Sequence, residues 1–285
     1  MKINKILPSD ADFPKSLLNI SGVPKQLYVL GNLSKLDQTK SVSVVGSRAI
    51  TPYGKMITSD LVNKLASRGV AIISGLALGV DAVAHKAAID AGGYTVAVMP
   101  CGLNAIHPSS NRELAKRILA SGGTLISEYP EGTAPFKQNF VARNRIVSGL
   151  GDALLITEAS SRSGSLHTAN FALDQGKPVM AVPGPITSNT STGTNNLIKT
   201  GAVPVTDIDD ILSALNINSQ TEKFDVLGAN PEETKIIDLF KRGITDINQL
   251  QMISKLPPDV FSQTMTMLEI SGKIHPLGAA HWTLS

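Results

Sequence analysis

Residues 137–149, K-Q-N-F-V-A-R-N-R-I-V-S-G, bring three cations (Lys137, Arg143, Arg145), one aromatic ring (Phe140) and amide side chains (Asn139 and Asn144 among them) into one short segment. A nucleic-acid backbone attracts cations, and an unpaired base stacks on a flat ring. The same residues also fit an ordinary amphipathic helix, with Phe140, Val141, Ile146 and Val147 on its apolar face and the arginines in water. The neighbouring motifs decide between the two.

Three glycine-bearing turns follow apolar runs. Gly46-Ser47-Arg48 combines a residue that turns tightly, a hydroxyl and a guanidinium fork suited to phosphate. Ser74-Gly75 opens S-G-L-A-L-G-V-D, residues 74–81, which ends on Asp81 near the start of a helix, where an acid serves as cap or first-turn charge. The third turn, E-A-S-S-R-S-G-S-L-H-T-A at 158–169, sets Gly164, Ser165 and Thr168 at the mouth of a helix, with amide groups available to an anion.

Other pairings are weaker. Asp81 and His85 lie four apart on one helical face without a third metal ligand, so an ion pair or solvent contact is expected. Cys101 and His107 lack an orienting partner; Cys101 is expected as a buried small hydrophobe, and His107, before Pro108, as structural. The dinucleotide G-x-G-x-x-G pattern is absent, and Gly46 to Met56 does not fit a P-loop. No cofactor and no metal are expected.

The elements that would position these residues read clearly. Runs at Val42–Val45, Val70–Ile73, Thr95–Met99, Thr124–Ile126, Ala153–Thr157 and Val179–Val182 are rich in β-branched residues, bounded by Gly or Pro and spaced for crossover helices. This pattern predicts an α/β domain over 41–215, a Rossmann-like, doubly wound, mostly parallel sheet whose ligands gather at the carboxyl ends of the strands. Residues 1–40, with one strand at Gln26–Leu30, are too few for a core and are expected to pack on that domain. A polar loop leads to a short helix near Asn195–Thr200. Residues 216–230 read as a linker.

Beyond the linker, 231–285 reads as three helices (232–242, 246–254 and 259–271) and a two-strand ending, an order that suggests a small winged-helix domain. Its would-be recognition helix has no Lys or Arg, which favours a protein-contact or packing role over duplex reading.

The 285 residues allow about two domains, and the net charge of +3 is too small to imply a polyanionic partner by itself. A single cysteine excludes a disulfide within the chain. No apolar run approaches a membrane span, and the N-terminus does not resemble a signal peptide, so a cytoplasmic protein without membrane partners is expected.

In order and spacing, G-S-R at 46–48, S-G-L-A-L-G-V-D at 74–81, F-V-A-R-N-R-I at 140–146 and S-G-S-L-H-T at 163–168 closely resemble the DNA-processing protein A (DprA/Smf) family. The resemblance implies a single-stranded-DNA-binding protein, usually a homodimer, that protects incoming DNA and loads the RecA recombinase during natural transformation without hydrolysing nucleotide. It implies that Arg48 and Lys137 contact phosphates and that Phe140 stacks near a base. Arg143, Asn144 and Arg145 would support or extend the strand path, and Ser165 and Thr168 would line the pocket edge. The chain departs from the family pattern at Leu78, where an arginine is frequent, at Val141, where a proline is, and at His107, where Tyr-Pro is common.

A strand edge offering cations, amides and one ring, without carboxylate pairs or a nucleophile triad, suits binding better than turnover, so no enzyme is expected. The alternative is a nucleotide-binding enzyme of the phosphoribohydrolase-like Rossmann group, although R-S-G-S-L-H-T has no glutamate after its threonine.

Overall fold

The computed structural model describes residues 2–217, 228–278 and 281–284. The chain divides into two compact units, residues 1–218 and 219–285. Most of the expected linker, 218–227, lies outside the described residues.

The first unit is built on one nine-stranded sheet. Its strands are β1 (Asn4–Ile6), β2 (Leu27–Leu30), β3 (Ser41–Val45), β4 (Ala71–Ser74), β5 (Thr95–Met99), β6 (Thr124–Ser127), β7 (Ala153–Ile156), β8 (Val179–Ala181) and β9 (Val203–Pro204). They lie in the order β1-β2-β6-β5-β4-β3-β7-β8-β9. From β6 to β9 all neighbours are parallel, whereas β2 joins β6 and β1 joins β2 antiparallel. Residues 1–40 therefore extend the sheet as well as packing on it. The chain order reverses between β3 and β7, which makes the crevice beyond their carboxyl ends the natural ligand position.

Helices α1 (Pro52–Ser67), α2 (Val80–Asp90), α3 (Arg112–Ala120), α4 (Lys137–Leu150), α5 (Ser165–Asp174), α6 (Thr192–Lys199) and α7 (Ile208–Ala214) join the strands. One face of the sheet is sealed by Leu61, Leu65 and Ala84 of α1 and α2 with Ile211 and Leu212 of α7. The other is sealed by Ile146, Val147 and Leu150 of α4 with Ala169 and Ala172 of α5, and Phe13, Leu17 and Ile20 of the N-terminal segment join that core. The uninterrupted apolar runs follow from this, since strands covered on both faces have no side on which a polar residue meets water. The short helix expected near Asn195–Thr200 begins three residues earlier, at Thr192.

The second unit holds α8 (Pro231–Lys241), α9 (Ile247–Ser254), α10 (Pro258–Ile270) and an antiparallel pair, β10 (Ile274–Gly278) and β11 (His281–Leu284). It has its own core of Ile236, Ile237, Leu250, Phe261 and Leu268. Among the described residues no helix is long and apolar enough to cross a membrane.

Candidate single-strand-binding cleft

A cleft of about 700 Å³ opens at the reversal point, lined by the loops after β3, β4 and β7 and by the first turns of α4 and α5. Three backbone devices bring these loops together. Ser47 donates its amide to Glu158 O (2.7 Å) and accepts from the Val80 amide (3.1 Å), which ties the β3, β7 and α2 segments. Gly79 has φ +76, and a Cβ there would collide with Ser47 O. The buried Glu158 carboxylate accepts from Thr51 Oγ1 (2.6 Å), while Thr51 caps α1 through the Gly54 amide.

Helix geometry sorts the 137–149 segment into faces. Lys137, Phe140, Val141 and Asn144, spaced i, i+3, i+4 and i+7, line the cleft. Asn139, Arg143, Ile146, Val147 and Leu150 form the buried stripe. Consecutive helical residues are about 100° apart, so Arg143, Asn144 and Arg145 cannot share a path. This corrects the expectation for Arg145. Asn144 faces the cleft and Arg143 points down into the sheet. Arg145 turns to another side, where it donates to Glu128 Oε1 (2.7 Å), Gly22 O and Ala142 O.

Where α4 crosses the ends of β4 and β5, its buried stripe is polar. Arg143, only 4% exposed, donates to Gly75 O (2.6 Å) and Val98 O, and Asn139 Nδ2 donates to Pro100 O (3.1 Å). These carbonyls lie at or just beyond the ends of the parallel strands, and the two side chains satisfy them. A Cβ on Gly75 would overlap the Arg143 guanidinium, so that glycine makes room for an arginine. Ser74 is buried, with its hydroxyl on Val44 O (2.7 Å). Ser74, Gly75, Asn139 and Arg143 are thus the floor of the site, with Arg143 reaching the cleft surface from below.

Arg143 keeps its charge beside the buried Asp81. Burial lowers the guanidinium to about 10, partly offset by Asp81. Burial raises the Asp81 carboxyl, against the opposing pull of Arg143 and of the Ala77 and Gly75 amides that it accepts. Asp81 sits in the first turn of α2, as expected of an acid there, but its carboxylate turns back onto the preceding loop. His85 is buried beneath; burial, then Arg143, push it down to about 3. Because Thr95 Oγ1 donates to Ile72 O, it must accept from His85 Nδ1, which assigns the Nδ1–H tautomer and leaves Nε2 without a partner. Asp81 and His85 therefore serve the floor. Among the described residues no group of three His, Cys, Asp or Glu side chains is placed to hold a metal ion.

Arg48 and Lys137 are exposed and stand outside the ion pairs of the described residues. The Arg48 guanidinium lies over the Phe140 ring at 5.3 Å. Across the cleft α5 begins at Ser165, whose amide donates to Ser163 Oγ (3.4 Å) while the Leu166 amide donates to Ser163 O (3.1 Å), and Ser163 and Ser165 share a hydroxyl hydrogen bond (2.7 Å). Gly46, Ser47, Gly164, Ser165 and Thr168 all line the cleft, although Ser165 and Thr168 are largely buried.

Among the lining residues not expected at the site, three are polar and well placed to meet a ligand. Ser160 and His167 fall within the third glycine-bearing turn and its helix, and their Ser-rich, helix-opening context was the available signal. His107, expected to be structural, is exposed in the cleft with its ring edge-on to Phe140, centroids 5.5 Å apart. Cys101 is buried, its thiol raised by burial and directed at Ala105 O (3.2 Å).

Residues 4–216 match the family model described as DNA recombination-mediator protein A. The chain belongs to the DNA recombination-mediator protein A family. It is 46% identical to protein Smf of Escherichia coli K12, over 74% of this chain and 56% of that protein. It is 36% identical to a putative DNA processing protein DprA of Mycobacterium tuberculosis, over 87% and 66%. The chain thus spans under two thirds of the length of these relatives. Among solved structures it is similar to DNA processing protein A of Streptococcus pneumoniae, with a TM-score of 0.70 and 38% identity over 75% of this chain and 74% of that one. It is also similar to the Helicobacter pylori protein, with a TM-score of 0.68 and 34% identity over 76% and 96%, a structure described for its unique single-stranded DNA binding mode.

Proposed function

We propose that the chain binds single-stranded DNA along this cleft without turning it over and passes the strand to the RecA recombinase during natural transformation, as a cytoplasmic homodimer. The observation that carries the binding role is the joint placement of two exposed, unpaired cations, Arg48 and Lys137, around one ring at the mouth of the sheet. Phosphates meet Arg48 and Lys137, and a base takes the face of Phe140 opposite Arg48. The relatives named for DNA processing and the single-stranded DNA mode of the Helicobacter pylori protein support this role.

Binding without turnover is favoured because the carboxylates near the cleft are occupied, Asp81 by loop amides and Glu158 by Thr51. The second unit serves as a protein-contact module, consistent with an α10 that carries no Lys or Arg.

The deciding experiment is titration of a labelled oligonucleotide at several salt concentrations. Arg48→Ala and Lys137→Ala are each expected to weaken binding and to flatten the slope of log affinity against log salt by roughly 0.7. Unchanged slopes would remove both residues from the contact list. Growth of RecA filaments on strand presented by the protein tests the hand-over, and release of free base from a nucleoside monophosphate, followed by chromatography, would reinstate the hydrolase alternative.

A further inference from the structure

The contacts assigned above leave His107 without a role. Its ring meets Phe140 at an interplanar angle of 73°, and among the described residues neither ring nitrogen is committed to a hydrogen bond. It borders both the main cleft and an adjoining apolar hollow of about 70 Å³ that shares Arg48 and Phe140 and is closed by Leu78 and Pro108.

The charged groups around it are mostly of one sign. The β3 loop brings Arg48, α4 brings Lys137 and Arg143, and α5 brings His167, whereas the β4 loop brings only Ala77 and Leu78. The one carboxylate lining the cleft, Asp81, is buried and held by the Gly75 and Ala77 amides. The cleft therefore holds an excess of positive charge on which a backbone phosphate can settle.

We propose, building on the binding role above, that His107 is a further strand-contacting residue whose imidazolium meets a backbone phosphate, so that strand binding takes up a proton. Histidine is the side chain whose charge ordinarily changes across the neutral range, which makes the contact conditional where those of Arg48 and Lys137 are permanent.

The test uses the full chain and oligothymidylate, whose bases do not titrate near neutrality, with salt titrations at about pH 6 and about pH 8. The chain is expected to bind about fivefold more tightly at the lower pH, the scale of a partly exposed charge pair. Its log-affinity slope against log salt should be steeper there by roughly 0.7. His107→Gln should abolish both differences, and His107→Lys should hold the steeper slope at both pH values. A pH dependence that persists in His107→Gln, or is absent from the parent chain, overturns the proposal. If Arg48→Ala and Lys137→Ala bind as the parent does, the cleft itself is wrongly assigned; if they weaken binding while His107→Gln changes nothing, only the His107 contact falls.

Discussion

Phe140 and His85 show how differently two rings within one site behave. Phe140 is half-buried, with Arg48 over one face and His107 in a T-shaped ring contact, so it is a platform already held in place before any strand arrives. Phe140→Ala should cost about 1–3 kcal/mol of strand affinity with little change in salt slope, read by anisotropy; a steep fall in melting temperature instead would assign the ring to the core. His85 is neutral in the fold, and protonation would leave a buried Nε2–H beside Arg143 without a partner. Its folded-state value, near 3, lies below the ordinary 6.5, so the unfolded chain takes up the proton first. The stabilisation is complete above about pH 6.5 and is lost as pH falls towards 3. Unfolding free energies from urea titrations at pH 7 and pH 5 should differ by up to about 2 kcal/mol through this group, lower at pH 5, and His85→Gln should remove most of that difference.

At the scale of elements, the site depends on tethers between loops that are remote in sequence. Glu158, at the end of β7, holds Thr51 at the start of α1, and so fixes the loop that carries Ser47 and Arg48. Glu158→Ala leaves the half-buried Thr51 hydroxyl and amide short of an acceptor and is expected to lower stability by about 1–2 kcal/mol in urea unfolding. It should also weaken strand binding, because Arg48 then loses its fixed position over Phe140. Helix α4 serves as both wall and beam: one stripe carries Lys137, Phe140 and Asn144 into the cleft, and the stripe beside it is fastened to the sheet by Asn139 and Arg143, then by Ile146 and Leu150.

For the whole molecule, the two units have separate cores, one set around the nine-stranded sheet and another around α8 and α10. Residues 1–217 are therefore expected to fold alone and to shift a labelled single-stranded oligonucleotide with nearly the affinity of the full chain. Loss of binding on truncation, with a retained melting transition, would move the strand-binding surface to the second unit.

The parallel sheet and the three turns at its carboxyl edge were legible in the sequence, because a strand buried on both faces must be apolar throughout and a tight turn beside an anion needs glycine, serine or arginine; the point where the strand order reverses was not. The cleft cations and the ring were legible as residue types for the same reason. Which neighbour faces which way was not. Arg143 and Arg145 look alike in R-N-R, yet one satisfies strand-end carbonyls below the site and the other pairs with Glu128 outside it. His107 became a cleft residue only when the loop after β5 met α4. Composition and periodicity record which surfaces are buried, whereas the partner of a polar side chain depends on segments far apart in the chain, and only the tertiary packing brings those together.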